Sequence, residues 1–560
     1  MARTIGLGIQ DFRKIMENNY FYIDKSLLIK EWWESGDDVT LITRPRRFGK
    51  TLSLSMLEYF FSVKYQGEKP LFQDLLIWKE SSYRQLQGAY PVISLSFASV
   101  KETNFKNARA KICQLIASEY SRCAYLLEKN LLSEQEKNTF CRKTYDMDDV
   151  DAALSLNQLS EYLCRCYGKN VIILLDEYDT PMQEAYLHGY WKELTDFLRN
   201  MFNAAFKTNP YLERAMLTGI TRISKESLFS DLNNITVITT TSSMYGDAFG
   251  FTEQEVSAAM DEFHLTEKEE VRHWYDGFVF GNCRNIYNPW SILNYLKEKK
   301  FAAYWVNTSS NSLVAKLIRE SSPDVKIAVE ELMHDRSFET YLDEQIVFLQ
   351  LDYRVSAIWS LLLASGYLRA ERTMFDAASG KTKYELRLTN KEVYFMFVQM
   401  IEDWFREYTP DYNAFIKALL LHDVDAMNEY MNRVCEEIFS SFDTGRHPSK
   451  KSQPERFYHG FVLGLMVDLA DQYVITSNRE SGFGRYDIML VPKQKNKDAY
   501  LIEFKVFHPK KETSLADTVQ AALAQIKEKN YAAELLKMGI PAEKIQTYGF
   551  AFEGKQVLIG

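Results

Sequence analysis

Residues 38–51 read DVTLITRPRRFGKT. DVTLI (38–42) is a short apolar run of the kind that buries as a strand. The following LSLSMLEYFFSVKY (52–65) spaces its apolar side chains as a helix does. Strand, loop ending in Gly-Lys-Thr, helix is the setting a phosphate-binding loop needs. Backbone N–H groups of the loop and the helix N-terminus point at an anion, and the helix dipole favours negative charge there. Arg44, Pro45, Arg46, Arg47, Phe48, Gly49, Lys50 and Thr51 are therefore candidates for binding ATP. Lys50 would reach the β- and γ-phosphates, and Thr51 would offer its hydroxyl to Mg²⁺. The general pattern G-x-x-x-x-G-K-[ST] has glycine where this chain has Arg44, so the loop alone is a weak signal.

A second element strengthens it. NVIILLDE (170–177) is a continuous apolar run ending in two carboxylates, as expected of a strand buried on both faces of a parallel sheet. Asp176 at its end would hold the Mg²⁺ water shell, and Glu177 would orient and deprotonate an attacking water. The competing reading is a core strand that ends in a solvated acidic turn. RAMLTG (214–219) is a third short buried run. Thr218 either senses the γ-phosphate or caps a turn. Arg222 is either an arginine finger or sensor, or the partner of an acid.

Near the C-terminus, SNRESGFGRYDIMLV (477–491) and AYLIEFKVF (499–507) alternate as strands around the turn-like PKQKNKDA. A hairpin centred near residue 495 sets Asp487 opposite Glu503, with Lys505 on the same face and Phe504 turned to the core. Two carboxylates about 5 Å apart repel unless a cation lies between them, and oxygen donors suit Mg²⁺ or Mn²⁺. Lys505 would hold the nucleophilic water or neutralise the transition state. This is the D…(D/E)xK pattern of restriction-endonuclease-like nucleases. The alternative is a surface Glu–Lys pair, which LIEFKV is too apolar to favour.

The surroundings set limits. At 560 residues the chain is too long for one core. Its 46% hydrophobic and 26% charged residues exclude a disordered, collagenous or coiled-coil chain. The net charge of −9 argues against coating nucleic acid by bulk charge. It is unevenly spread: residues 456–560 hold 14 Lys/Arg against 12 Asp/Glu. The seven cysteines lack a CxxC pair, which suits free thiols in a reducing compartment. The N-terminal stretch shows no apolar signal region, and no run approaches a membrane span, so a cytoplasmic protein without membrane contact is expected.

FGFTEQEVSAAMDEF (249–263) and NPWSILNYLKEKKF (288–301) read as capped helices, with Thr252 as N-cap and Pro289 at the first position. SAIWSLLLASGYLRAER followed by KTKYELRL (356–372, 381–388) gives a helix and a hairpin, a winged-helix-like unit. FDTGRHPSKKSQPE (442–455) reads as a linker.

YFYIDKS (20–26), LITRPRRFGKT (41–51), LLDEYDTPM (174–182), TGITRISKESLFSDLNN (218–234) and YDGFVFG (275–281) together resemble the AAA-ATPase-like family of bacterial proteins. That is a P-loop group with an extra strand between its two Walker motifs, and it writes its loop with the arginine. The resemblance implies ATP binding and hydrolysis. It also singles out Tyr22, Asp24 and Lys25, which lie either near the adenine or in the framework. Residues 453–560 resemble the PD-(D/E)xK nuclease domain that often follows it, on ERFYHGF (455–461), SNRESGFGRYD (477–487), IEFKV (502–506), AQIKEKNY (524–531) and YGFAFEGK (548–555). Tyr486 stands where that family usually has Pro. Gln525 and Tyr531 look like its helical Gln–Tyr element at a longer spacing. Glu455 and His459 would add a metal or base contact, or serve structure.

The expected architecture is α/β and multidomain. It comprises a P-loop NTPase core with a parallel sheet (1–235), a helical lid (236–345), a winged-helix-like and helical region (346–440), a linker (441–455) and a restriction-endonuclease-like α/β domain (456–560). The expected function is ATP binding and hydrolysis coupled to metal-dependent cleavage of nucleic acid, with DNA the expected substrate. The alternative is an ATP-dependent switch whose C-terminal domain binds nucleic acid or a protein without cleaving. A transcription regulator is a third reading, disfavoured by the lack of a basic recognition helix. A homo-oligomer is allowed, since AAA-type chains commonly form rings.

Overall fold

The computed structural model describes residues 3–560 except 130, 223–227, 230–231, 307–311, 320, 322, 334, 343–350, 352–354, 378–379, 409–411, 439–461, 463–464, 467–468, 470–471, 478–479, 482–483, 486, 495–496, 510–511 and 554–555. The chain forms two compact units. The first comprises Met1–Ser310 and Ser337–Val393, the second Asn311–Arg336 and Tyr394–Gly560.

The first unit is built on a five-stranded parallel sheet. Its strands are β1 (Val39–Thr43), β2 (Val92–Ser96), β3 (Val171–Asp176), β4 (Leu212–Gly219) and β5 (Ile235–Ile238), in the order β2-β3-β4-β1-β5. β4 thus lies between the strand that feeds the loop and the strand that ends in Asp176. β1 and β3 are buried along their whole length, which is why β3 reads as a continuous apolar run up to Asp176 and β1 carries only threonine as a polar residue. Helix α1 (Lys50–Phe61) follows β1 directly, and Gly49 at φ +83° makes the turn into it.

The segment expected as a helical lid carries helices α2 (Glu253–Glu262) and α3 (Pro289–Glu298). Thr252 and Glu255 form a capping box on α2, and Asn288 caps α3. It also contains an antiparallel sheet of Phe251–Thr252, Asp276–Phe280 and Cys283–Tyr287. Helix α4 (Val355–Ala364) precedes the hairpin Leu368–Asp376/Lys381–Leu388, and Phe338–Tyr341 adds a third strand.

Helix α5 (Lys391–Tyr408) begins in the first unit and ends in the second. The second unit holds α6 (Tyr412–Leu420), α7 (Val424–Ile438) and a five-stranded sheet. Its strands follow one another in the order β6 (Tyr473–Ser477), β7 (Ile488–Pro492), β8 (Ala499–Val506), β9 (Ile545–Glu553) and β10 (Gln556–Ile559). Only the β8–β9 pair is parallel. Helix α8 (Leu515–Glu528) packs on β8 and β9. One core joins Phe415, Leu419, Met427 and Met431 of α6 and α7 to Ile502, Phe504, Phe550 and Ile559 of the sheet. The two helices therefore share the nuclease-like core, although the linker was expected to separate them from it. The linker itself, Glu455, His459 and Tyr486 lie outside the described residues. No described helix is long and apolar enough to cross a membrane.

Candidate active sites

Arg46, Arg47, Phe48, Gly49, Lys50, Thr51 and Glu177 line one cleft of ≈ 580 Å³ in the first unit. Lys50 donates from Nζ to the carbonyls of Arg44 and Pro45, each at 2.8 Å. Burial pushes its ammonium down to about 8, against the upward pull of Asp176, Glu177 and Asp179. A buried ammonium with that deficit gains from an anion placed beside it. Thr51 Oγ1 donates to Asp176 Oδ2 at 2.7 Å, and Thr218 Oγ1 donates to Asp176 Oδ1 at 2.5 Å. Burial raises the Asp176 carboxyl, and these two hydroxyls oppose the rise. Glu177 is held at φ +51°, and its Oε2 accepts from Thr180 Oγ1 at 2.9 Å. The hydroxyl of Thr51 and the carboxylate of Asp176 are hard oxygen donors, which fits Mg²⁺.

Arg44 behaves differently. Its side chain is fully buried and donates to the carbonyls of Thr43 (3.0 Å), Thr239 (2.7 Å), Met244 (3.4 Å) and Tyr245 (3.3 Å). Its guanidinium carbon lies 4.5 Å from the Phe280 ring centre, and burial pushes its pKa down to about 9. The arginine in place of glycine thus braces the loop from behind rather than lining the cleft. Pro45 is also on the rear side, where a Cβ on Gly366 would come within 2.7 Å of it. Arg222 borders a separate cavity of ≈ 20 Å³ with Thr43, Thr239 and Ser360, so the structure does not bring it to the cleft with Lys50.

Tyr22 and Lys25 line the cleft. Lys25 pairs with both Glu255 oxygens at 2.7 Å. Asp24 instead accepts backbone N–H bonds from Ser26 (2.8 Å) and Leu76 (2.6 Å), a framework role.

Sequence reasoning passed over Asp179. It is 1% exposed, and its Oδ2 accepts from Ile220 N (3.1 Å), Thr221 N (2.8 Å) and Thr221 Oγ1 (2.7 Å). Asp179 therefore locks the chain just past β4 to the turn past β3. The repeated acid in LLDEYD was the available signal.

In the second unit, β7 pairs with β8 as Ile488↔Ile502 and Met489↔Leu501, so the next step along the ladder brings Asp487 to Glu503. Asp487 Oδ2 accepts the Phe504 N–H at 2.8 Å. Glu503 is 3% exposed, and Phe504 beside it points into the core. Gln525 on α8 joins the group: Lys505 Nζ donates to its Oε1 at 2.7 Å, and its Nε2 donates to Glu503 Oε1 and, at 3.3 Å, to the Tyr531 hydroxyl. Among the described residues no cluster of three or more His, Cys, Asp or Glu is arranged to hold a metal. Two facing carboxylates with water and substrate phosphate completing the shell still fit Mg²⁺ or Mn²⁺, which commonly use one or two protein carboxylates. The longer spacing from Gln525 to Tyr531 is absorbed at the end of α8, where Asn530 turns at φ +53°.

Residues 6–229 match the family model described as a predicted AAA-ATPase. Residues 453–560 match that of the PD-(D/E)XK nuclease superfamily. The two matches suggest ATPase and nuclease-type hydrolase activity. The chain is also 26% identical over 554 residues to an uncharacterized protein in the vnfD 5′ region of Azotobacter chroococcum mcd 1, covering 96% of this chain and 95% of that one.

Proposed function

We propose that this chain binds and hydrolyses ATP in its first unit and cleaves DNA with Mg²⁺ or Mn²⁺ in its second, acting in the cytoplasm. The observation that supports this most is the grouping of Asp487, Glu503, Lys505 and Gln525 around one hairpin, from three separate stretches of chain. Asp487 and Glu503 would hold the divalent cation, which would supply Lewis-acid polarisation of the phosphodiester and an activated water. The Phe504 N–H fixes the Asp487 carboxylate, and Lys505 places positive charge where a pentavalent phosphate gathers negative charge. Gln525 bridges Lys505 and Glu503 so that neither swings out of the face.

In the first unit, Lys50 would neutralise the terminal phosphates, Thr51 and Asp176 would hold Mg²⁺, and Glu177 would orient the water. Thr218 and Thr51 each donate to one oxygen of Asp176, so Thr218 helps fix the carboxylate that would hold the metal.

The test is a nuclease panel on single-stranded, duplex and branched DNA with Mg²⁺ or Mn²⁺, with and without ATP, on wild type, Lys50→Ala, Asp487→Ala and Lys505→Ala. Cleavage is expected in the wild type. The two C-terminal variants should lose at least about a hundredfold of it, in keeping with removal of an electrostatic catalytic group. Equal cleavage by Lys505→Ala, or none by the wild type on any substrate, would refute the nuclease assignment. The remaining reading is then an ATP-dependent switch.

A further inference from the structure

A hydrogen-bond cluster, buried around Glu392 and Ser291 and partly buried at the loop, ties the phosphate-loop segment to the start of helix α5. The Arg46 carbonyl accepts from Asn288 Nδ2 at 3.2 Å and from Trp305 Nε1 at 3.0 Å. Trp305 also donates its backbone N–H to Glu392 Oε1 at 3.1 Å, and the Tyr304 N–H reaches the same oxygen at 2.6 Å. The other oxygen, Oε2, accepts from Ser291 Oγ at 2.7 Å, and the Ser291 N–H is capped by Asn288 Oδ1 at 3.4 Å. Two routes, one through Trp305 and one through Ser291 and Asn288, therefore lead from one loop carbonyl to one carboxylate.

That carboxylate is fully buried and sits in the first turn of α5, the helix whose far end belongs to the second unit. Every bond in the cluster lies inside the first unit. Nothing in the nucleotide chemistry needs a glutamate there. An apolar residue would avoid the desolvation that pushes this carboxyl up to about 7. A buried acid satisfied by three donors on two segments makes those segments and its own helix move together, because breaking any one bond strands a polar group away from water.

We infer that Glu392 is a positioning residue: it holds Trp305 and Asn288 on the nucleotide loop and passes a displacement of that loop to helix α5. The inference rests on the reading of the cleft as an ATP site. Packed elements with two discrete arrangements amplify small shifts at a ligand site, and α5 is where such a shift leaves the first unit along the chain.

The test is hydrogen exchange on the full-length protein with and without ATP and Mg²⁺, followed in peptides covering residues 41–51 and 391–400. The wild type should show slower exchange in both, by about tenfold or more. In Glu392→Gln, which keeps size but loses the charge, the change at 391–400 should fall well below that at 41–51. Trp305→Phe, which removes the indole N–H and part of the ring but keeps the backbone N–H to Glu392, should do the same and decides the matter if Glu392→Gln does not fold. The kcat for ATP should fall more than KM rises in both, since a displaced loop spoils alignment before affinity. Protection of the loop in wild type with none at 391–400, or variants that keep the full change there, would overturn the relay and leave the ATP site standing. No protection of the loop in wild type would overturn the ATP site and the relay with it.

Discussion

Lys50 is a buried ammonium in the cleft proposed for the nucleotide. Lys50 titrates near 8 with only loop carbonyls on its Nζ, and phosphate oxygens favour its charged form. Below that pH the lysine is already protonated, so affinity does not depend on its titration. Above it, binding must take up a proton, so affinity falls by up to about tenfold per pH unit until the pKa of the complex is passed. Fluorescent-nucleotide titrations from about pH 7 to about pH 10 should show this loss, and Lys50→Arg, which does not titrate there, should bind with a flat profile. Backbone sterics give a second residue-scale expectation. Gly277 of YDGFVFG sits at φ +136°, and a Cβ there would lie 1.8 Å from the Thr389 carbonyl oxygen. Gly277→Ala should destabilise the first unit by more than about 3 kcal/mol in urea unfolding, since the clash is with backbone and cannot relax by a rotamer change. The same scale shows what sequence can and cannot reveal. Lys50, Thr51 and Asp176 were legible because strand-end positions and a loop pattern fix them. The inward turn of Arg44 was not, because it depends on carbonyls of residues 239–245, some 200 positions away.

Among elements, helix α7 carries the least expected role. Asn428 exchanges two hydrogen bonds with Ile559, from Nδ2 to its carbonyl at 2.9 Å and to Oδ1 from its N–H at 2.7 Å. Asn432, one helical turn on, does the same with Val557, both at 2.8 Å. Strand β10 is the last strand of its sheet, and its outer N–H and C=O groups would otherwise stand open to another chain. The two side-chain amides act as a substitute strand. Replacing both by alanine should destabilise the second unit by about 2–6 kcal/mol, from up to four orphaned backbone groups. It should also raise the aggregated fraction in size-exclusion chromatography. Hairpin register was readable from the turn centre near 495, because an antiparallel ladder is arithmetic once its turn is placed, and Ile488↔Ile502 follows that arithmetic. The cap was not readable. An Asn pair four apart on an amphipathic helix looks like any solvated face until the helix is docked. The bond from Gln525 to Lys505 escaped for the same reason, since it depends on where α8 lies over β8.

At the scale of the whole chain, the two units are not consecutive segments. Residues 311–336 belong to the second unit although they lie between stretches of the first, so the backbone crosses between units three times. A fragment beginning at 453, where the nuclease-superfamily match starts, lacks Phe415, Leu419, Met427 and Met431 of its own core. Each unit has its own buried core and so should unfold as its own cooperative step. The cleft proposed for ATP and Mg²⁺ is lined by residues of the first unit, so the ligand should raise the first unit's transition in calorimetry by the linkage amount, about 2.7 kcal/mol at a ligand concentration of 100 Kd. Lys50→Ala should abolish that shift. Asp487→Ala should leave it intact, because Asp487 belongs to the second unit, where its carboxylate accepts the Phe504 N–H. If α5 transmits the loop's position, the second transition should also move with ATP, by less than the first, and Glu392→Gln should return it to the ligand-free value while the first transition still responds. A single transition that shifts as one body would instead mean that the three crossings make the chain one cooperative unit, and that the separation seen in the contacts does not extend to its energetics.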